Sequence, residues 1–118
     1  MNIYDRDFWT AVDTLASSGK IVIERPKGSS HPRFPSIKYE VDYGYIENTS
    51  SADGEGIDVW VGSLDDKNVS AVICTVDLMK KDSEIKLLVG CTDEEIGVIY
   101  KFHNNSQYMK GILIRRQS

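Results

Sequence analysis

Cysteine is scarce in this chain: Cys74 and Cys91 are the two in 118 residues. They lack metal-ligand spacing and lie in or beside apolar runs, so both are expected to be buried thiols. Long apolar runs are missing too. None approaches the roughly 20 residues that span a bilayer, which excludes a transmembrane helix and predicts no membrane partner. The first residues, MNIYDRDFW, carry charge at once and lack the apolar core of a signal peptide. A soluble, cytoplasmic protein is expected. The net charge of −4 lacks the basic excess of a general nucleic-acid binder, so no nucleic-acid partner is expected. There is no internal repeat, low-complexity tract or composition break, and residues 1–118 read as a single domain with a single core. Hydrophobic residues at 41% and charged residues at 27% are ordinary globular values, so disorder is not the default.

Apolar spacing supplies the elements. Phe8, Trp9, Val12, Leu15 and Ala16 share one face of a helix over 7–18, stopped by Gly19. KIVIE, 20–24, is a β-branched strand. All three prolines fall in 25–38, which excludes helix there and marks an ordered loop or edge segment. Strands follow at 39–46, 57–63, 68–79 and 84–91. Thr92-Asp93-Glu94-Glu95 has the form of a capping box and opens a helix over about 93–103, with Ile96, Ile99, Tyr100 and His103 at helical spacing. MKGILIRR, 109–116, is a last strand. Five or six strands with a helix near each end predict an α+β fold whose core is a curled sheet or small barrel.

Charge is segregated along the chain. Arg25, Lys27, Arg33, Lys38 and His31 fall within 25–38, where there is no carboxylate. From Tyr39 to Asp66 there are eight carboxylates and no lysine or arginine. Ordinary surfaces intersperse the signs. Paired by strand contact, the two stretches would make a cleft with a basic wall facing an acidic one. Within the acidic stretch, ADGEGIDVWVGS places Asp53, Glu55 and Asp58 inside six positions, spaced by Gly54 and Gly56. Carboxylates this close repel, so the stretch is either a solvated turn or a seat for a hard divalent cation. It is not an EF-hand loop, whose ligand positions and closing glutamate are missing, nor a P-loop, because the lysine and Ser/Thr are absent. A cation held there would bridge to phosphate oxygens and make hydroxide accessible at neutral pH. A basic clamp alone would bind a phosphate anhydride without hydrolysing it.

YEVDYGYIENTSSADGEGIDVWV, 39–61, resembles the soluble family I inorganic pyrophosphatases, in which Tyr-Gly-Tyr precedes an Asp-Gly-Asp-Pro-x-Asp-Val run. IVIERPKG, 21–28, is similar to the family's Val-Ile-Glu-x-Pro strand. The resemblance implies Mg²⁺-dependent hydrolysis of pyrophosphate to two phosphates, with Mn²⁺ as a second candidate metal. It implies a small OB-like, mostly antiparallel β-barrel with flanking N- and C-terminal helices. By the same resemblance, Glu55 is the catalytic base, and Asp53, Asp58, Asp82, Glu84 and Glu24 are metal ligands. Arg33, Lys27, Tyr43, Tyr39, Lys86, Tyr100 and Lys101 are substrate ligands. Family members often associate, so a homo-oligomer is a further expectation, with Phe8 or Trp9 as the candidate surface. The chain departs from the pattern at Glu55 (aspartate in the family), at Gly56 (proline), at Glu84 (aspartate) and in a shorter 25–38 segment. These departures leave two alternatives beside the enzyme: a non-catalytic relative that binds metal and phosphate, or a hydrolase of another phosphoanhydride. The tyrosines at 39, 43 and 45 share parity and also suit plain packing on one sheet face. His31 and His103 show no partner pattern and are given no role.

Overall fold

The computed structural model describes residues 3–52 and 54–117, so Asp53 lies outside the described residues. Its elements run α1 (Ile3–Ala16), β1 (Ile21–Arg25), β2 (Asp42–Ile46), β3 (Ile57–Val61), β4 (Val69–Asp77), β5 (Asp82–Val89), α2 (Asp93–Phe102) and β6 (Met109–Arg115). The strands form one six-stranded sheet in the order β1-β2-β3-β5-β4-β6. All neighbours are antiparallel except β3 and β5, which run parallel.

Alternation along the strands divides the sheet into two buried faces. Val59, Leu87, Val89, Val72, Val69 and Ile46 pack against Trp9, Val12 and Ala16 of α1. The intervening residues, Trp60, Leu88, Ala71 and Ile73, turn the other way and pack against Ile96 and Ile99 of α2. This arrangement corrects the expected closed barrel. Closure would require one edge strand to meet the other, but β1 and β6 are the free edges of an open mixed sheet. The physical reason is that a helix covers each face. Neither face has to curl around itself to bury its apolar residues.

Three further expectations need adjustment. Helix α1 starts at Ile3, earlier than its apolar stripe, because its first turn is exposed and contributes nothing to the stripe. Trp9 is buried between α1 and the sheet, with the Arg116 guanidinium 5.7 Å from its ring centroid, so it offers no surface to a second copy; Phe8 is 41% exposed. Cys91 is buried as expected, but Cys74 is only partly so. It lies on the α1 face of β4 in a stretch shared with exposed Val76 and Ile112.

Local chemistry fixes the joints that matter for the site. A Cβ on Gly44 would come within 1.9 Å of the Val22 carbonyl oxygen, so only glycine allows β1 and β2 to approach here. The capping box at α2 forms: the Glu95 amide donates to Thr92 Oγ1 at 3.1 Å, and the Thr92 amide donates to Glu95 Oε1 at 2.8 Å. The same carboxylate accepts the Ser63 amide at 3.1 Å, which ties the end of β3 to the start of α2. Burial works against the Glu95 charge, but the Thr92 and Ser63 hydrogen bonds outweigh it and lower its pKa.

Candidate active site

The site grows from register. Across β2 and β3, Tyr43 opposes Trp60 and Tyr45 opposes Asp58. Across β3 and β5, Trp60 lies beside Leu88, so two residues earlier on each parallel strand Asp58 comes alongside Lys86. Tyr43, Asp58, Lys86 and Glu84 therefore share the face covered by α2.

Their polar atoms meet. Lys86 Nζ donates to Asp58 Oδ2 at 2.7 Å, to Glu84 Oε2 at 2.9 Å and to the Tyr43 hydroxyl oxygen at 2.9 Å. Tyr43 donates in turn to Asp58 Oδ2 at 2.7 Å. An ammonium has three N–H donors, and all three are used. Lys86 is 6% exposed. Burial alone would lower its pKa, but Tyr43, Asp58 and Glu84 more than offset that and hold it above its ordinary value. Burial raises the Tyr43 pKa, so this phenol stays protonated and remains a donor at neutral pH.

An aromatic wall braces Tyr43. Its ring centroid is 4.6 Å from Trp60, edge to face, and 5.7 Å from Tyr39. Phe102, at the end of α2, lies 5.1 Å from both Trp60 and Tyr39. Behind the wall, Trp60 Nε1 donates to His103 Nε2 at 3.0 Å. No local pattern reveals this pairing, because the two residues are distant in sequence and on different elements.

That hydrogen bond has a pH signature. Burial, with the Lys86 charge adding to it, pushes the His103 pKa down to about 3 from an ordinary 6.5. The unfolded chain then takes up a proton below pH 6.5 that the folded chain refuses. The His103 contribution to stability is complete above pH 6.5 and is lost progressively as pH falls toward 3. Urea denaturation between pH 7 and 5 is expected to show a steeper loss for the wild type than for His103→Gln. His103→Phe leaves the Trp60 N–H buried without an acceptor and is expected to cost about 1–3 kcal/mol.

The remaining site candidates are spread more widely. Asp82 is half-buried two residues before Glu84, and opposes Asp77 of β4. Glu55 is exposed in the turn before β3, where its carbonyl accepts the Ser51 amide at 2.6 Å. Gly54 beside it has φ +83°, a backbone state that favours glycine. Glu24 is exposed near the end of β1. The 26–38 loop folds back on itself through the Ser30–Lys38 bridge, and the His31 ring stacks on Tyr39 at 6.5 Å. Arg33 is exposed in that loop, with its amide donating to His31 Nδ1 at 3.0 Å. Lys27 is exposed, and its amide donates to Asp42 Oδ1 at 2.7 Å. Tyr100 and Lys101 are exposed on α2, away from the side that carries Ile96, Ile99 and His103. Basic and acidic stretches thus adjoin along β1 and β2, yet the cation that pairs with Asp58 comes from β5.

The donor set suits a hard cation. Carboxylate oxygens of Asp58 and Glu84, from different strands, already point at one positive centre. Among the described residues, no three His, Cys, Asp or Glu side chains form a group that could hold a metal ion. Magnesium needs fewer, because it keeps several waters and relies on one or two carboxylates plus substrate oxygens. The residues present fit that mode.

Comparison with known proteins identifies a family and a similar fold. A family model described as Inorganic Pyrophosphatase matches residues 10–114. Among solved structures, the inorganic pyrophosphatase of Helicobacter pylori superimposes with a TM-score of 0.62 at 15% identity, covering 81% of this chain and 83% of that one. No curated protein sequence matches the chain.

Proposed function

The chain belongs to the inorganic pyrophosphatase family and is a hydrolase acting on pyrophosphate; from that premise we propose that the hydrolysis depends on magnesium and is centred on Tyr43, Asp58, Glu84 and Lys86. The observation that carries this reading is the convergence of two carboxylates, an ammonium and a phenol within 2.9 Å contacts on one sheet face. A family of this kind generally uses a divalent metal. When bound, such an ion neutralises phosphate charge and makes a water molecule more acidic.

The protein's own groups do the rest. Asp58 and Glu84 are the carboxylates for the ion, with Asp82 and Glu24 as further ligands, and Asp53 assigned to the same role from its place in the acidic motif alone. Lys86 keeps the two carboxylates from repelling each other and supplies positive charge where phosphate oxygens arrive. Tyr43, fixed by Trp60 and protonated, donates toward the same place. Tyr39 closes the aromatic side. Glu55, exposed in the turn before β3, is assigned the attacking water, which it orients and from which it takes the proton. Arg33 and Lys27 approach the departing phosphate from the 26–38 loop. Tyr100 and Lys101 are presented to solvent by α2 and take no part in this mechanism.

The test is colorimetric phosphate release from pyrophosphate and from a panel of other phosphoanhydrides, each with Mg²⁺, Mn²⁺ and Co²⁺. Fast release from pyrophosphate with Mg²⁺ is expected. Release from another anhydride alone, or tight Mg²⁺–pyrophosphate binding without turnover, would overturn it.

A further inference from the structure

Strand β1 contains a bulge. Ile23 opposes Gly44 and Arg25 opposes Tyr43, so three residues of β1 span two of β2 and Glu24 is the extra one. A bulge shifts the alternation that follows it. Without it, Arg25 would share the face of Ile23; with it, Arg25 turns to the face of Tyr43. Because β1 is an edge strand, that position is open to a ligand from the side.

Arg25 also differs from Lys86 in its charge partners. The three donors of Lys86 are committed to Asp58, Glu84 and Tyr43. Ion pairs among the described residues are Lys86 with Asp58 and Glu84, Arg115 with Asp93, and Arg116 with Asp13. Arg25 takes part in none of these. Its contact with protein oxygen along the strand is a long 3.4 Å hydrogen bond from Nη1 to the Glu24 carbonyl. It is half-buried, and its strand partner Tyr43 packs on Tyr39 with ring centroids 5.7 Å apart, so Arg25 lies on the aromatic side of the site. Beside Lys86, which holds two carboxylates, Arg25 is thus a second cation on this side of the sheet, and among the described residues it forms no ion pair.

We propose that Arg25 is a phosphate-binding residue of this site, its guanidinium and the Tyr39 hydroxyl taking terminal oxygens of the substrate from the open β1 edge. This rests on the pyrophosphate reading above and deepens it. A planar fork of N–H donors matches two phosphate oxygens at once, which an ammonium cannot do. Arg33, the arginine that the family resemblance offers for phosphate, is exposed on the 26–38 loop, whereas Arg25 lies on the strand that pairs with Tyr43.

Calorimetry with Mg²⁺ and imidodiphosphate, a pyrophosphate analogue that is not turned over, tests the assignment alongside wild-type phosphate release. Arg25→Gln is expected to weaken analogue binding by at least about tenfold, and Arg25→Lys to lie between it and the wild type. Lys38→Gln, which removes the same charge from the neighbouring loop, is expected to bind within about twofold of the wild type, because an exposed, screened charge acts weakly. Circular dichroism confirms that each variant is folded, and Arg25→Lys keeps the test open if Arg25→Gln is not. Wild-type affinity in both Arg25 variants, with wild-type turnover intact, overturns the Arg25 assignment and leaves the pyrophosphatase reading standing. Analogue binding that Arg25→Gln abolishes, in a wild type without turnover, overturns the enzyme reading and supports Arg25. A wild type that neither binds nor hydrolyses overturns both.

Discussion

Replacing Lys86 by methionine is expected to reduce pyrophosphate turnover by about 10²–10³-fold, the scale on which a preorganised donor at a transferring phosphoryl group acts. The same substitution is expected to lower the free energy of unfolding by about 3 kcal/mol without divalent cations. That is the low end for breaking a buried pair, because the Asp58 side chain keeps 30% exposure while that of Glu84 keeps 12%. The two effects share one cause. Among the described residues Lys86 is the cation in contact with these two carboxylates on adjoining strands, and without it Asp58 and Glu84 face each other with like charge. Such a pair is also a better cation seat than the wild-type knot. Added Mg²⁺ is therefore expected to restore part of the stability lost in Lys86→Met, through binding to the folded state alone, and to stabilise the wild type less. Urea denaturation with and without Mg²⁺ measures both. A variant as stable as the wild type and indifferent to Mg²⁺ would show that Lys86 does not hold this site together.

Glu55→Gln is expected to behave differently. Glu55 is exposed in a turn outside the core, so the substitution is expected to leave the unfolding midpoint within experimental scatter. Turnover, in contrast, is expected to fall by about 10²–10⁴-fold, the usual contribution of a positioned general base. Affinity for Mg²⁺ and imidodiphosphate is expected to persist, because glutamine keeps the shape and loses only the ability to accept a proton. A Glu55→Gln protein with wild-type phosphate release would assign proton abstraction to another group.

What sequence can convey about this molecule follows the range of its interactions. Period-2 and period-3.6 patterns are local, and they placed both helices and all six strands close to where they lie. The α2 capping box was legible for the same reason: Thr92 and Glu95 satisfy each other within one turn. The Asp58 position was visible because the Tyr-Gly-Tyr and acidic motifs lie close together in the chain. The parallel pairing of β3 with β5 was not visible, since its partners are nearly 30 residues apart and no turn chemistry announces them. Lys86 was therefore expected as a substrate ligand, and its role as the ion partner of Asp58 emerges only from the fold. The β1 bulge was hidden for another reason. IVIER alternates no differently with or without an extra residue, so whether Glu24 or Arg25 faces Tyr43 is decided by pairing with β2. His103 and Trp60 likewise meet only once α2 covers the sheet. Barrel closure failed as an expectation because strand count and composition do not say whether a helix will cover the second face.

The most direct measurement is phosphate release from pyrophosphate over a Mg²⁺ titration, wild type against Asp58→Asn. Asp58 Oδ2 is the atom that both Lys86 and Tyr43 touch, so the account stands on it. It predicts release that stops in the presence of a chelator. In Asp58→Asn it predicts a maximal rate lower by about 10²-fold or more, and a Mg²⁺ midpoint higher by at least about tenfold, since even outer contacts of a metal act on that scale. Release that persists with chelator present, or an Asp58→Asn protein with the wild-type rate and midpoint, would contradict it.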